Sequence, residues 1–188
     1  MIASPLISLF LLKRCVFSDM KNSQGILIFF CGKMGAGKST RSRQIAQELN
    51  AILISEDEWL GQLYPQEIQG LADYIHYSRR LKGLLKQHLA TLLKAGLSIV
   101  MDFPANTKTQ RAWFQDLIRE HNLAYRFIYL DVDDRTCLAQ IAQRRQEQPD
   151  RAQFDTEAMF HEVTRFFEPP TAEEGWAIEW IRHAAVDR

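Results

Sequence analysis

Unbroken apolar runs alternate along this chain with stretches whose apolar residues recur every third or fourth position. Ile26 to Cys31, "ILIFFC", has the form of a strand buried on both faces. Ile45, Ala46 and Leu49 then share one face of a helix predicted from about Lys38 to Asn50, and Ala51 to Ser55 reads as a second short strand. Leu81, Leu84, Leu85, Leu89, Leu92 and Leu93 mark one side of a helix that ends at Gly96, a residue suited to a left-handed cap. Leu97 to Met101 is the third expected strand. A helix from Thr107 to about His121 carries Trp113, Phe114, Leu117 and Ile118, and Tyr125 to Leu130 is the fourth strand. A helix with Leu138 and Ile141 follows, then one lined by Phe160, Val163, Phe166 and Phe167, then a last strand from Trp176 to Ile181. Strands alternating with helices imply an α/β fold, a parallel sheet covered on both faces, with ligands at the carboxyl ends of the strands.

At 188 residues the chain is the size of one domain, able to bury about 70% of its unfolded surface. Lys plus Arg and Asp plus Glu both number 23, so no overall field draws the molecule to nucleic acid or to an anionic membrane. Cys15, Cys31 and Cys137 show neither metal spacing nor an even disulfide count, and the two inside expected elements read as small buried hydrophobes. That usage suits a reducing, cytoplasmic compartment. Residues 1–24 read as an N-terminal extension, non-native or disordered, with residues 25–188 forming the domain. The apolar stretch Ile2 to Leu12 is too short for the roughly 20 residues of a membrane span, and Lys13 and Arg14 follow it rather than precede it. Either translation begins at Met20, or the stretch is a short amphipathic anchor.

The loop after the first strand, "GKMGAGKST", changes the picture most. Gly32, Gly37, Lys38 and Ser39 satisfy G-x-x-x-x-G-K-[ST], in the strand–loop–helix setting the motif requires. Glycines let the backbone N–H groups of Gly32, Lys33, Met34, Gly35, Ala36, Gly37, Lys38, Ser39 and Thr40 converge on phosphate oxygens, and the following helix adds its positive end. Lys38 would reach the β and γ phosphates, and the Ser39 hydroxyl would ligate Mg²⁺. The implied ligand is a nucleoside triphosphate with Mg²⁺.

Acids and arginines stand where they can act on it. In "SEDEW", Asp57 is placed to accept a proton from an incoming hydroxyl, although Ser55 and Glu58 also spell a capping box that accounts for acids in a first helical turn. Asp102 ends the third apolar run, as an acid that holds Mg²⁺ or its water does, or as an acid opening a turn before Pro104. Asn106 and Thr107 are weaker candidates, and Thr107 with Gln110 also makes sense as a helix cap. Arg144, Arg145 and Arg151 surround a polar turn, either as phosphate ligands on a lid or as solvated residues complementing a helix end.

Together "GKMGAGKST", the acid of "SEDEW", "VMDFPANTKTQR", "RRQEQPDR" and "FEPPTAEEG" resemble the P-loop kinases grouped with AAA-type ATPases, relatives of polynucleotide kinase, zeta toxin and gluconate kinase. The resemblance covers about Gly25 to Ile181. It implies a three-layer, kinase-type P-loop NTPase fold with a parallel sheet of about five strands and a helical lid, and transfer of the γ-phosphoryl group of ATP to a hydroxyl. Carried to matching positions, it makes Lys38 and Ser39 the phosphate and Mg²⁺ ligands, Asp57 the base, Asp102 the Mg²⁺ or acceptor-orienting acid, and Arg144 and Arg145 lid residues. In polynucleotide kinase an arginine three residues past the base contacts an acceptor phosphate, and Leu60 stands there instead. The expected acceptor is a small molecule such as a sugar, nucleoside or antibiotic-like compound. The alternatives are a nucleic-acid 5'-hydroxyl and an ATP-driven switch without an acceptor. The segment Trp59 to Arg80 is expected to build the acceptor pocket.

Overall fold

Along β1 (Ile26–Cys31) the side chains divide by parity. Leu27, Phe29 and Cys31 point into one buried cluster, and Ile28 and Phe30 into another on the opposite face. The computed structural model describes residues 24–149 and 152–182, so the expectations for the extension through residue 23 and for Arg151 fall outside the described residues. β1 is the centre of a five-stranded parallel sheet in the order β2-β3-β1-β4-β5, with β2 at Ile52–Ser55, β3 at Ile99–Pro104, β4 at Ala124–Asp131 and β5 at Ile178–Arg182.

Helices α1 (Lys38–Glu48), α5 (Asp134–Glu147) and α6 (Glu157–Thr164) cover the Ile28 face through Ile45, Cys137, Ile141 and Phe160. Helices α3 (Leu71–Lys94) and α4 (Lys108–His121) cover the Phe29 face through Leu81, Leu85, Leu89, Leu93, Phe114 and Leu117, and the short α2 (Glu56–Leu63) adds Leu60. The result is the expected three-layer α/β architecture. At its centre Phe29 stacks on Phe114 at 4.1 Å and on Phe127 at 4.7 Å between ring centroids, and meets the edge of Trp176 at 5.6 Å. Among the described residues no helix is long and apolar enough to cross a membrane.

Several boundaries differ from the pattern for identifiable reasons. α3 begins at Leu71, ten residues before the first leucine of the expected face, and Leu84 on that face is 75% exposed, because the true stripe is the four-residue spacing Leu81, Leu85, Leu89. β3 starts two residues later than expected and continues through Pro104, since Gly96 (φ 88°) and Leu97 still belong to the turn while Phe103 is buried. Phe166 and Phe167 lie past the end of α6. The helix gives way to a turn at residues 165–166, and Phe166 is left exposed while Phe167 packs against Tyr129.

Candidate active site

Lys38 curls back over the glycine loop. Its ammonium donates to the carbonyls of Gly32 at 2.5 Å and Lys33 at 2.8 Å, so the cation is held inside the turn that precedes its own helix. Burial lowers its pKa from the usual lysine value, and the carboxylate of Asp102 is the largest influence opposing that. The loop takes its shape from glycine backbones that other residues rarely adopt. Gly35 has φ 78°, and a Cβ there would sit 2.5 Å from the carbonyl oxygen of Cys137 on α5. Gly37, φ 89°, precedes α1 without a side-chain cap, and no acid lies in the helix's first turn. The amide donors at that helix end face the loop. Of the remaining loop side chains, Lys33 pairs with Asp134 at the start of α5, Met34 packs on the Ile28 cluster, Ala36 is buried and Thr40 is exposed.

Asp102 arrives on β3, next to β1 in the sheet, where the Ser39 side chain and Lys38 from the start of α1 favour its charged form. Burial raises its carboxyl pKa above the ordinary aspartate value, while Ser39 and then Lys38 pull the other way. Ser39 and Asp102 are therefore adjacent hard oxygen donors, the chemistry Mg²⁺ takes together with phosphate oxygens. Among the described residues no group of three or more His, Cys, Asp or Glu is placed to hold an ion without such help.

Asp57 enters from the first turn of α2, directly beyond β2. The helix cap is made by other atoms, since Ser55 Oγ accepts from the Glu58 N–H at 3.4 Å. Asp57 is exposed, is held by the Tyr74 hydroxyl at 2.9 Å, and interacts electrostatically with both Lys38 and Asp102. The loop, Asp57 and Asp102 thus share the carboxyl edge of the sheet. Leu60, one turn further along α2, is buried and faces the core rather than the site.

Arg144 and Arg145 lie on the last turn of α5, the helix whose Cys137 and Ile141 pack on Gly35. Arg144 forms a two-pronged pair with the buried Asp155, at 2.7 and 2.6 Å, and Arg145 is exposed.

Two contributors, Glu56 and Arg111, were not singled out from sequence, and Asn106, a weaker candidate there, turns out to brace the loop. Glu56 is fully buried and joins α2 to Tyr74, Ser78 and Lys82 of α3. Asn106 accepts the Gly32 N–H at 3.0 Å, fixing the start of the phosphate loop, and Gln110 in turn holds the Asn106 N–H at 2.8 Å. Arg111, 1% exposed, binds Glu174 twice, at 2.6 and 2.8 Å, together with the carbonyls of Ala105 and Glu168. That guanidinium ties "TQR" to "FEPPTAEEG", so two motifs distant in the chain form one support behind the loop. The one sequence signal was a long cationic side chain on the core-facing side of an expected helix, where charge needs a partner.

A sequence-family model described as an AAA domain matches residues 27–170. No curated protein matches the chain. Solved structures do resemble it in fold. A protein of Chloroflexus aurantiacus described as a candidate kinase has a TM-score of 0.64 at 19% identity, covering 85% of this chain and 88% of that one. The Mycobacterium tuberculosis APS kinase, in complex with AMPPNP and APS, has a TM-score of 0.57 at 19% identity over 88% and 90%. A sugar kinase from Janibacter sp. has a TM-score of 0.56 at 16% identity over 85% of each.

Proposed function

The chain belongs to the AAA-domain family of P-loop proteins, and from that premise we propose that it is an ATP-dependent kinase whose acceptor is a hydroxyl of a small molecule. The observation that carries the reading is the meeting of Asp57, Asp102 and Ser39 around Lys38, with one carboxylate beside the Ser39 hydroxyl and the other on the acceptor-facing helix. In this reading the loop amides and Lys38 hold the β and γ phosphates. Ser39 and Asp102 would hold Mg²⁺, which when bound would supply charge neutralisation at the phosphoryl oxygens. Asp57 orients the acceptor and takes its proton as the new O–P bond forms and the bond to the β-phosphate oxygen breaks, releasing ADP. Arg145 and, on leaving Asp155, Arg144 would cover the phosphates from α5 and exclude water. The buried Leu60 supports a small acceptor, since that position offers no cation to an acceptor phosphate.

Asp57→Asn tests the assignment. The change keeps size while removing the base, so ATP affinity by calorimetry should barely move, while transfer from labelled ATP to the best acceptor of a metabolite and oligonucleotide panel falls by about 10² or more. Near wild-type transfer would remove Asp57 from the chemistry, and preference for an oligonucleotide would overturn the small-molecule acceptor.

A further inference from the structure

The hydroxyl of Tyr74 stands between the carboxylates of two successive residues, 2.8 Å from Glu56 Oε2 and 2.9 Å from Asp57 Oδ1. A phenol has a single proton to donate, so only one of these contacts can be a hydrogen bond from Tyr74 at any moment. The two carboxylates are not equivalent. Glu56 is fully buried, and its other oxygen takes the Ser78 hydroxyl at 2.5 Å with the Lys82 ammonium at 3.5 Å, so it has a donor and a counter-charge of its own. Asp57 is exposed and sits at the mouth of the site. It is faced by Lys38 from the phosphate loop, Asp102 from β3, and Tyr74 from α3; beside it on α2 lie Glu56 and Glu58, the latter occupied by Arg43 of α1. The tyrosine ring packs against the Phe29 cluster, which fixes where its hydroxyl can reach. Burial and the two adjacent carboxylates raise the Tyr74 pKa well above its usual value, so the group remains a proton-bearing phenol.

We propose that Tyr74 is a positioning residue for Asp57, an inference that rests on the reading of Asp57 as the base. Its hydroxyl donates to Asp57 Oδ1 and holds that carboxylate in one rotamer, then turns the same proton to Glu56 Oε2 as Asp57 takes up the proton of the acceptor. Tyr74 neither gains nor loses a proton in this step. The acceptor proton resides on Asp57 until solvent removes it after transfer, and Glu56, anchored by Lys82 and Ser78, is the resting place that lets the phenol turn without being stranded.

The test uses the full chain with Mg·ATP and the best hydroxyl acceptor of the same metabolite panel, and reads transfer from labelled ATP in wild type, Tyr74→Phe, Asp57→Asn and the double variant. Tyr74→Phe should lower kcat about tenfold, as loss of a hydrogen bond to a charged group implies, with the KM for ATP unchanged within about twofold. In the Asp57→Asn background the same change should cost nothing further, because Tyr74 acts through Asp57. Full additivity of the two defects, or a wild-type kcat in Tyr74→Phe, overturns the proposal while leaving the base assignment standing. A wild-type kcat in Asp57→Asn fells the base assignment, and Tyr74's role with it. Should the phenylalanine variant unfold, 3-fluorotyrosine at position 74 preserves packing while making the phenol a stronger acid. A changed kcat then supports the role, and an unchanged one overturns it.

Discussion

Ser39, in the first turn of one helix, and Asp102, in the middle of a strand, face each other so that the hydroxyl favours the charged form of the carboxylate. The placement has a cost, because the carboxylate is taken largely out of water. Its folded pKa lies above the ordinary aspartate value, so the folded state prefers the protonated form relative to the unfolded chain. The resulting penalty is absent below the unfolded pKa, grows as pH rises toward the folded one, and is complete above it. Asp102→Asn should therefore raise the melting temperature of the ligand-free protein at neutral pH, with the gain vanishing in acid, and should abolish Mg²⁺-dependent ATP turnover. Calorimetric scans across pH beside a turnover assay check both halves.

Lys38→Ala should eliminate turnover and weaken ATP binding. The fold should survive, because in the ligand-free protein the ammonium is spent on two main-chain carbonyls of its own loop. Titration calorimetry with ATP, on protein shown to be folded by circular dichroism, measures the loss. Unchanged activity would remove the loop from the chemistry.

The Arg111–Glu174 pair has the opposite pH sign from Asp102. Hydrogen bonding to Arg111 holds the Glu174 carboxyl below the ordinary glutamate range, so its contribution to stability is present above the unfolded pKa and is lost as pH falls through the folded one. Glu174→Ala leaves a buried guanidinium without its anion and should cost about 3–5 kcal/mol in urea unfolding. Pairing it with Arg111→Met should recover part of that loss, since removing both charges is cheaper than stranding one.

Much of this architecture is written in neighbouring residues. The phosphate loop is legible because its constraints are local: glycines where φ is positive, a lysine and a hydroxyl at the helix start. The unbroken apolar run from Ile26 to Cys31 announces a strand buried on both faces for the same reason. Glu56 was hidden because acids in a first helical turn are common, and only the fold brings Tyr74, Ser78 and Lys82 onto it. Arg111 and Glu174 lie 63 positions apart, and no spacing rule links them. Leu84 and Phe166 misled because an apolar residue beside a core stripe looks the same whether it turns inward or not.

Gly83 offers a stability test remote from all of this chemistry. It lies inside α3, exposed, without positive φ, and a Cβ there meets nothing within 4 Å. Gly83→Ala should stabilise the protein by about 0.5–1 kcal/mol, chiefly by removing backbone freedom from the unfolded chain, and leave ATP affinity unchanged. A fall in the denaturation midpoint would mean that this face of α3 is not open.

The stack of Phe29 on Phe114 and Phe127, closed at its edge by Trp176, joins rings from two strands, a helix and the segment leading into β5. At the packing density of such an interior, a ring shortened at one position is missed by all the others. Evolution can therefore redraw this part of the molecule only by concerted change, with volume given up at one position returned at another. A residue borrowed singly from a relative would arrive without the partners it was shaped against.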